Sequence, residues 1–271
     1  MALPHHTLDI DARGVATLTI ANGTPLNILD SATIAAMTAT LRRLARSDAV
    51  RALVLRGSGE RALIGGANIH ELAALEPDSA VDFISRLRDL CEAMRDFPAP
   101  TIARMAGWCM GGGLELAAAC DLRIAAHDAR FSMPEVRIGI PSVIHAILLA
   151  RLIGEGHARW LLLTGAPIDA EKALRWGLVN EVAQPGGLDG AIEHTLAELL
   201  ACGPRALRTQ KALLRAWEEP HIERGIKESV AAFGASYETD EPAQCMEREF
   251  FSKNRQKALQ GKREQLFIRE H

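Results

Sequence analysis

The chain has 271 residues, 31 Lys+Arg against 34 Asp+Glu for a formal net charge of -3, and 48% hydrophobic residues at a mean hydropathy of +0.02. That length buries a full core as one domain, or as one domain with an appendage, and the charge balance argues against nucleic acid as the main partner. No run of about 18 apolar residues spans a membrane, Met1-Ala2-Leu3-Pro4-His5-His6 carries no signal-peptide pattern, and five loosely spaced cysteines fit reduced thiols in a cytoplasm.

Leu8 to Asp11 and Val15 to Ile20 flank Arg13-Gly14 and read as a hairpin. After the turn Asn22-Gly23-Thr24-Pro25, Asp30 or Ser31 caps a helix to about Ala45, with Ile34, Met37, Leu41 and Leu44 on one face. Ala52 to Leu55 is a continuous apolar strand of the kind covered on both faces. A turn at Gly57-Ser58-Gly59 leads to Leu63-Ile64-Gly65-Gly66-Ala67, and Asn68 caps a short helix through Leu72. A longer helix, from about Ser79 to Asp96, ends where Pro98 and Pro100 forbid continuation.

Thr101 to Met105 forms the next strand and delivers the chain to Gly111-Gly112-Gly113 and a short apolar helix. Leu122 to Ala126 and Ala129 to Met133 are strands, Val143 to Leu152 and Ala158 to Leu163 helices, Asp169 to Gly177 a capped helix, and Leu178 to Val182 a last strand. The alternation predicts an α/β fold with crossover units. From Leu188 onward only helical patterns remain, so residues 1–187 read as the core and 188–271 as a helical region packed on a neighbour or another subunit.

Three consecutive glycines are costly to order, which points to a close approach or to angles denied to other residues. A helix opening there leaves N–H groups without intrahelical partners, an anion site at the positive end of the helix dipole. Glu115 is a lone carboxylate in an apolar helix, and burial raises a carboxyl pKa toward usefulness. Gly65-Gly66 is a second such turn, so two backbone N–H groups can aim at one oxygen. Glu135, after Pro134, supplies a second carboxyl for proton transfer; its plainer reading is a surface acid beside Arg137.

Other motifs carry less. Gly57-Ser58-Gly59-Glu60-Arg61-Ala62 imitates a dinucleotide fingerprint but lacks the helix that must follow it. Cys109 precedes a helix N-terminus, which lowers a thiol pKa, but no histidine is local. The histidines are scattered and no metal-binding spacing occurs.

At these residues the chain resembles the crotonase superfamily, the enoyl-CoA hydratase/isomerase group, over nearly its whole length. Ala62-Leu63-Ile64-Gly65-Gly66-Ala67-Asn68-Ile69 is similar to the family's first oxyanion segment, with Asn68 in place of the usual aspartate. Gly107-Trp108-Cys109-Met110-Gly111-Gly112-Gly113-Leu114-Glu115-Leu116 is similar to the second, and Pro134-Glu135 matches the second glutamate. The resemblance implies the ClpP/crotonase fold, a superhelix of ββα units, with C-terminal helices for a homotrimer or dimer of trimers.

The same resemblance implies syn addition of water to a trans-2-enoyl-CoA, giving a 3-hydroxyacyl-CoA. Gly65 and Gly112 N–H would hold the enolate oxygen, Glu115 the water, and Glu135 would exchange the C2 proton. Coenzyme A would arrive on the substrate, with no separate cofactor, and lie near Pro25, Leu26, Ala62, Gly65, Ala67, Asn68 and Ile69, joined by Lys253. Double-bond isomerisation or another acyl-CoA reaction is the alternative, and a non-catalytic CoA-binding protein a third. After Gly139 the family's glycine-rich run is shortened to Ile140-Pro141-Ser142-Val143-Ile144-His145.

Overall fold

The computed structural model describes residues 5–218 and 221–252. Its larger sheet has six strands in the order β1 (His6–Ile10), β2 (Val15–Ile20), β3 (Ala52–Gly57), β5 (Thr101–Met105), β7 (Leu122–Ala126) and β10 (Glu181–Ala183). Only β1 runs antiparallel to its neighbour; the rest are parallel. A smaller sheet joins β4 (Ala62–Ile64), β6 (Trp108–Met110), β8 (Arg130–Ser132) and β9 (Ile168–Asp169), parallel except for the last pair.

The apolar run of β3 divides its side chains between two cores. Leu53 and Leu55 join the main cluster, while Ala52 and Val54 face a smaller one built with Leu188, Ile192 and Leu196 of helix α7 (Leu188–Ala201). A strand covered on both faces has no need of polar alternation. Helix α1 (Ser31–Leu44) starts at Asp30, whose carboxylate accepts from Thr33 N–H at 2.7 Å, and buries Ile34, Met37 and Leu41. The four-residue helix α2 (Ile69–Leu72) is capped by Asn68, as its sequence predicts. Helix α3 (Pro77–Arg95) takes Pro77 into its first turn, where the missing N–H costs nothing, and buries Phe83, Ile84, Leu87 and Leu90.

Helix α4 (Gly112–Ala118) is entirely buried, including Glu115. Helix α5 (Ile147–Thr164) bends at Gly154, which has φ 76°, and α6 (Ala170–Trp176) is capped by Asp169 and closed by Gly177. Helices α8 (Pro204–Ala216), α9 (His221–Ser236) and α10 (Glu241–Met246) follow α7, with a π-turn at Glu247–Phe251. No helix among the described residues is long and apolar enough to cross a membrane.

Two boundaries differ from the sequence expectation. Leu178 belongs to the end of α6, not to a strand, because its N–H donates to Ala173 O at 2.9 Å in the cap that Gly177 opens. The helix expected from Val143 starts at Ile147, preceded by a 3₁₀ turn at Ile144–Ala146 whose N–H groups are drawn to side chains elsewhere.

Candidate active site

In the small sheet β4 and β6 are parallel neighbours, and each runs into a glycine turn at its C-terminal end. Pairing therefore sets the two turns side by side. A methyl on Gly113 would lie 2.5 Å from Ile64 Cβ, and one on Gly66 would lie 3.8 Å from Met110 O. Gly111 adopts φ 53° and ψ -130°, which L side chains avoid, and a Cβ there would meet Glu135 Oε1 at 2.5 Å. Glycine is thus required at 111 by backbone angle and by the carboxyl beside it.

The N–H groups of Gly112 and Gly113, in the first turn of α4, have no partner among the described residues. The other turn corrects the sequence expectation. Gly65 N–H is engaged, donating to Leu26 O at 2.7 Å. Leu29 N–H donates to Gly66 O at 2.9 Å and Asn68 N–H to Leu29 O at 2.7 Å, a parallel bridge between residues 29 and 67. In that pattern residue 67 points its own N–H away from residue 29, toward the side where β6 and α4 lie. Ala67 N–H, two residues beyond Gly65, has no hydrogen-bond partner among the described residues.

Both turns open on a cavity of about 540 Å³. Gly65, Gly66, Ala67, Gly111, Gly112, Glu115 and Glu135 line one wall. Phe83, Ile84 and Leu87 of α3, with Ile138, Ile140, Val143, Phe233 and Phe250, make the rest strongly apolar. Leu26, Asn68 and Ile69 also reach the cavity, beside Thr24 and His70. Two expected contacts do not: Ala62 is fully buried in β4, its carbonyl taken by Asn27 Nδ2 at 2.8 Å, and Pro25 is outside the wall. Lys253 lies outside the described residues.

Glu115 is only 3% exposed and accepts Ala146 N–H at 2.9 Å on Oε1. Burial, reinforced by the Glu135 charge, pushes its carboxyl well above the usual range, against the opposing pull of that hydrogen bond. Glu135 is half-buried at the start of a 3₁₀ turn, and Ser142 Oγ–H donates to its Oε2 at 2.8 Å. Burial lifts it to about 6, although its own backbone N–H and Ser142 hold it down. Both carboxyls are therefore raised above the ordinary glutamate range, Glu115 further than Glu135, an arrangement in which one carboxyl can give a proton and the other take one.

Cys109 is fully buried and burial drives its thiol pKa up, which removes it as a nucleophile. His145, a candidate from the sequence for shaping the acyl cavity, is not among its lining residues and lies fully buried with Nε2 2.7 Å from Glu92 Oε1. The α3 face was not legible as part of a site: the spacing of Phe83, Ile84 and Leu87 is that of ordinary core packing.

The sequence profile of the enoyl-CoA hydratase/isomerase family matches residues 11–260. The short-chain-enoyl-CoA hydratase of Clostridium acetobutylicum is 31% identical over 86% of this chain and 89% of its own length. The crotonyl-CoA hydratase of Syntrophomonas wolfei is 34% identical over 86% of this chain and 90% of its own. Among solved structures, Pseudomonas aeruginosa DspI superposes with a TM-score of 0.76 at 33% identity, covering 83% of this chain and 91% of that one. With two glycine turns and two carboxyls meeting at one cavity, and likeness running through nearly the whole chain, this protein is a member of the enoyl-CoA hydratase/isomerase family.

Proposed function

We propose that the protein hydrates a trans-2-enoyl-CoA thioester to the 3-hydroxyacyl-CoA. The observation that carries this reading is the pair of raised carboxyls, Glu115 and Glu135, on the wall where the Gly112 N–H is unengaged. Hydration consumes no net proton. Water gives one proton to a carboxylate as its oxygen bonds to C3, and a carboxylic acid gives one to C2. A pair holding a single proton is matched to that exchange, which a lone carboxyl is not.

Gly112 N–H and Ala67 N–H are assigned to the thioester oxygen, where negative charge gathers as water adds. The contact between Glu135 and Gly111 favours Glu135 for C2, the carbon next to the thioester carbonyl, and leaves Glu115 to hold the water at C3. The substrate water, held between the two carboxyls, would let a shared proton reside on either, so the higher pKa of Glu115 does not fix the direction of transfer. Leu26, Ala67, Asn68 and Ile69 are assigned to the CoA moiety, and the apolar wall to the acyl chain. Helix α8 buries no residue and exposes Leu213, Leu214 and Trp217, which supports a homotrimer or dimer of trimers built through the C-terminal helices.

Loss of the enoyl chromophore of crotonyl-CoA, with the product identified by mass, measures the reaction. Glu115→Gln and Glu135→Gln are each expected to cut kcat by about 10²- to 10⁴-fold. Exchange of the C2 proton of a saturated acyl-CoA with deuterated water should be lost in Glu135→Gln and retained in Glu115→Gln. The value of about 6 for Glu135 sets an acid limb: below it both carboxyls are protonated, none accepts from water, and kcat/KM falls. Full hydration rates in both variants would sink the reading.

A further inference from the structure

Glu115 stands on a helix of seven residues, and its carboxyl is directed by a different element, the turn Ile144–Ala146. That turn is held from three directions. Ile144 has φ 40°, a strained angle for a β-branched residue, and its N–H donates to Ser229 Oγ of α9 at 2.7 Å. His145 turns inward, fully buried, to Glu92 of α3. Ala146 N–H is shared between Val143 O and Glu115 Oε1, each at 2.9 Å.

Glu92 is itself fixed, by Arg95 Nη1 at 3.0 Å and Arg215 Nη2 at 2.9 Å. Among the described residues His145 meets Glu92 only as a close polar contact, Nε2 at 2.7 Å from Oε1, and neither ring nitrogen makes a well-aligned hydrogen bond, so an apolar side chain of similar size would fill this place at less desolvation cost. Packing alone does not call for an imidazole here.

We propose that His145 is a positioning residue for Glu115: its pairing with Glu92 anchors the strained turn so that Ala146 N–H meets the carboxyl at a fixed angle. The kinetic part of this inference rests on the hydratase reading; the geometric part does not. His145 touches neither the cavity nor any reacting atom.

The test compares His145→Leu with His145→Gln in the full-length protein. Leucine removes the tie to Glu92 while Arg95 and Arg215 still pair that carboxylate, so no bare charge is left behind. Misplacing a reacting group by a fraction of an ångström to an ångström costs up to about 10²-fold, so His145→Leu should lose about 10- to 100-fold in kcat with KM for crotonyl-CoA little changed. Glutamine, which restores an N–H toward Glu92, should recover most of the loss. Infrared difference spectroscopy supplies a readout free of turnover. The carbonyl stretch of protonated Glu115, identified as the band missing in Glu115→Gln, should shift in His145→Leu and return in His145→Gln.

An unshifted band with unchanged kcat would overturn the inference. Equal kcat losses in both variants with an unmoved band would overturn it too, by reducing His145 to a packing residue. A wild type that hydrates no enoyl-CoA would defeat the hydratase reading, whereas a band shift in His145→Leu would still support the positioning role.

Discussion

Two carboxyls of one chemical type are separated in behaviour by their surroundings. Among the described residues Glu115 has a single donor, Ala146 N–H, and it is buried, so its charged form is poorly supported. Glu135 accepts from Ser142 and from its own backbone N–H, and these hold against burial so that its carboxyl is pushed up only to about 6. This difference has a consequence for stability. An unfolded chain releases the Glu115 proton near the ordinary glutamate value of about 4.3, while the folded chain retains it to much higher pH. Across that interval the folded state binds the extra proton, so the group costs stability increasingly as pH rises. Glu115→Gln removes the cost and keeps an oxygen for Ala146 N–H. Its melting temperature should exceed that of the wild type by more at pH 8 than at pH 5; equal differences at both would show that Glu115 is not held protonated.

At the scale of elements, much of the site could be read from the chain and the rest could not, for identifiable reasons. The α4 start was legible because three glycines and one carboxylate in an apolar helix are local anomalies. Asp30, Asn68 and Asp169 declare helix starts by capping chemistry, which also needs only neighbours. The second N–H assigned to the thioester oxygen is different. Which N–H faces the cavity depends on the pairing of Ala67 with Leu29, a tertiary fact, and the sequence placed the donor at Gly65. The short strand β6 was hidden for the same reason: three residues before a glycine turn become a strand only through β4 and β8 on either side. Ala67→Pro deletes the assigned donor. It should lower kcat by about 10²- to 10³-fold, as removal of one oxyanion donor does, while acyl-CoA binding by titration calorimetry persists. Retention of full activity would return the role to another amide.

On the scale of the molecule, the C-terminal helices are part of the site's walls. Phe233 of α9 and Phe250 line the cavity, and Ser229 holds the turn that serves Glu115. The sequence suggested a division near Gly187 from a change in composition, and composition is silent on where a helix packs. His145 was equally unreadable: its partner Glu92 is distant along the chain and belongs to another helix. The large parallel sheet carries none of these groups and serves as the frame that fixes the ends of the smaller sheet.

The chain doubles back on itself at Gly139, where φ is 80° and a side-chain carbon would come within 2.9 Å of Glu241 O and Pro242 Cα. This single hydrogen in place of a methyl lets the tail lie flush against the segment that bears Glu135. Gly139→Ala should lift the tail and loosen the lining at Phe250, so stopped-flow traces would register faster thioester escape and a higher KM while kcat holds within about twofold. Turnover and retention would then be governed by separate parts of one polypeptide, the latter by a contact no larger than an atom.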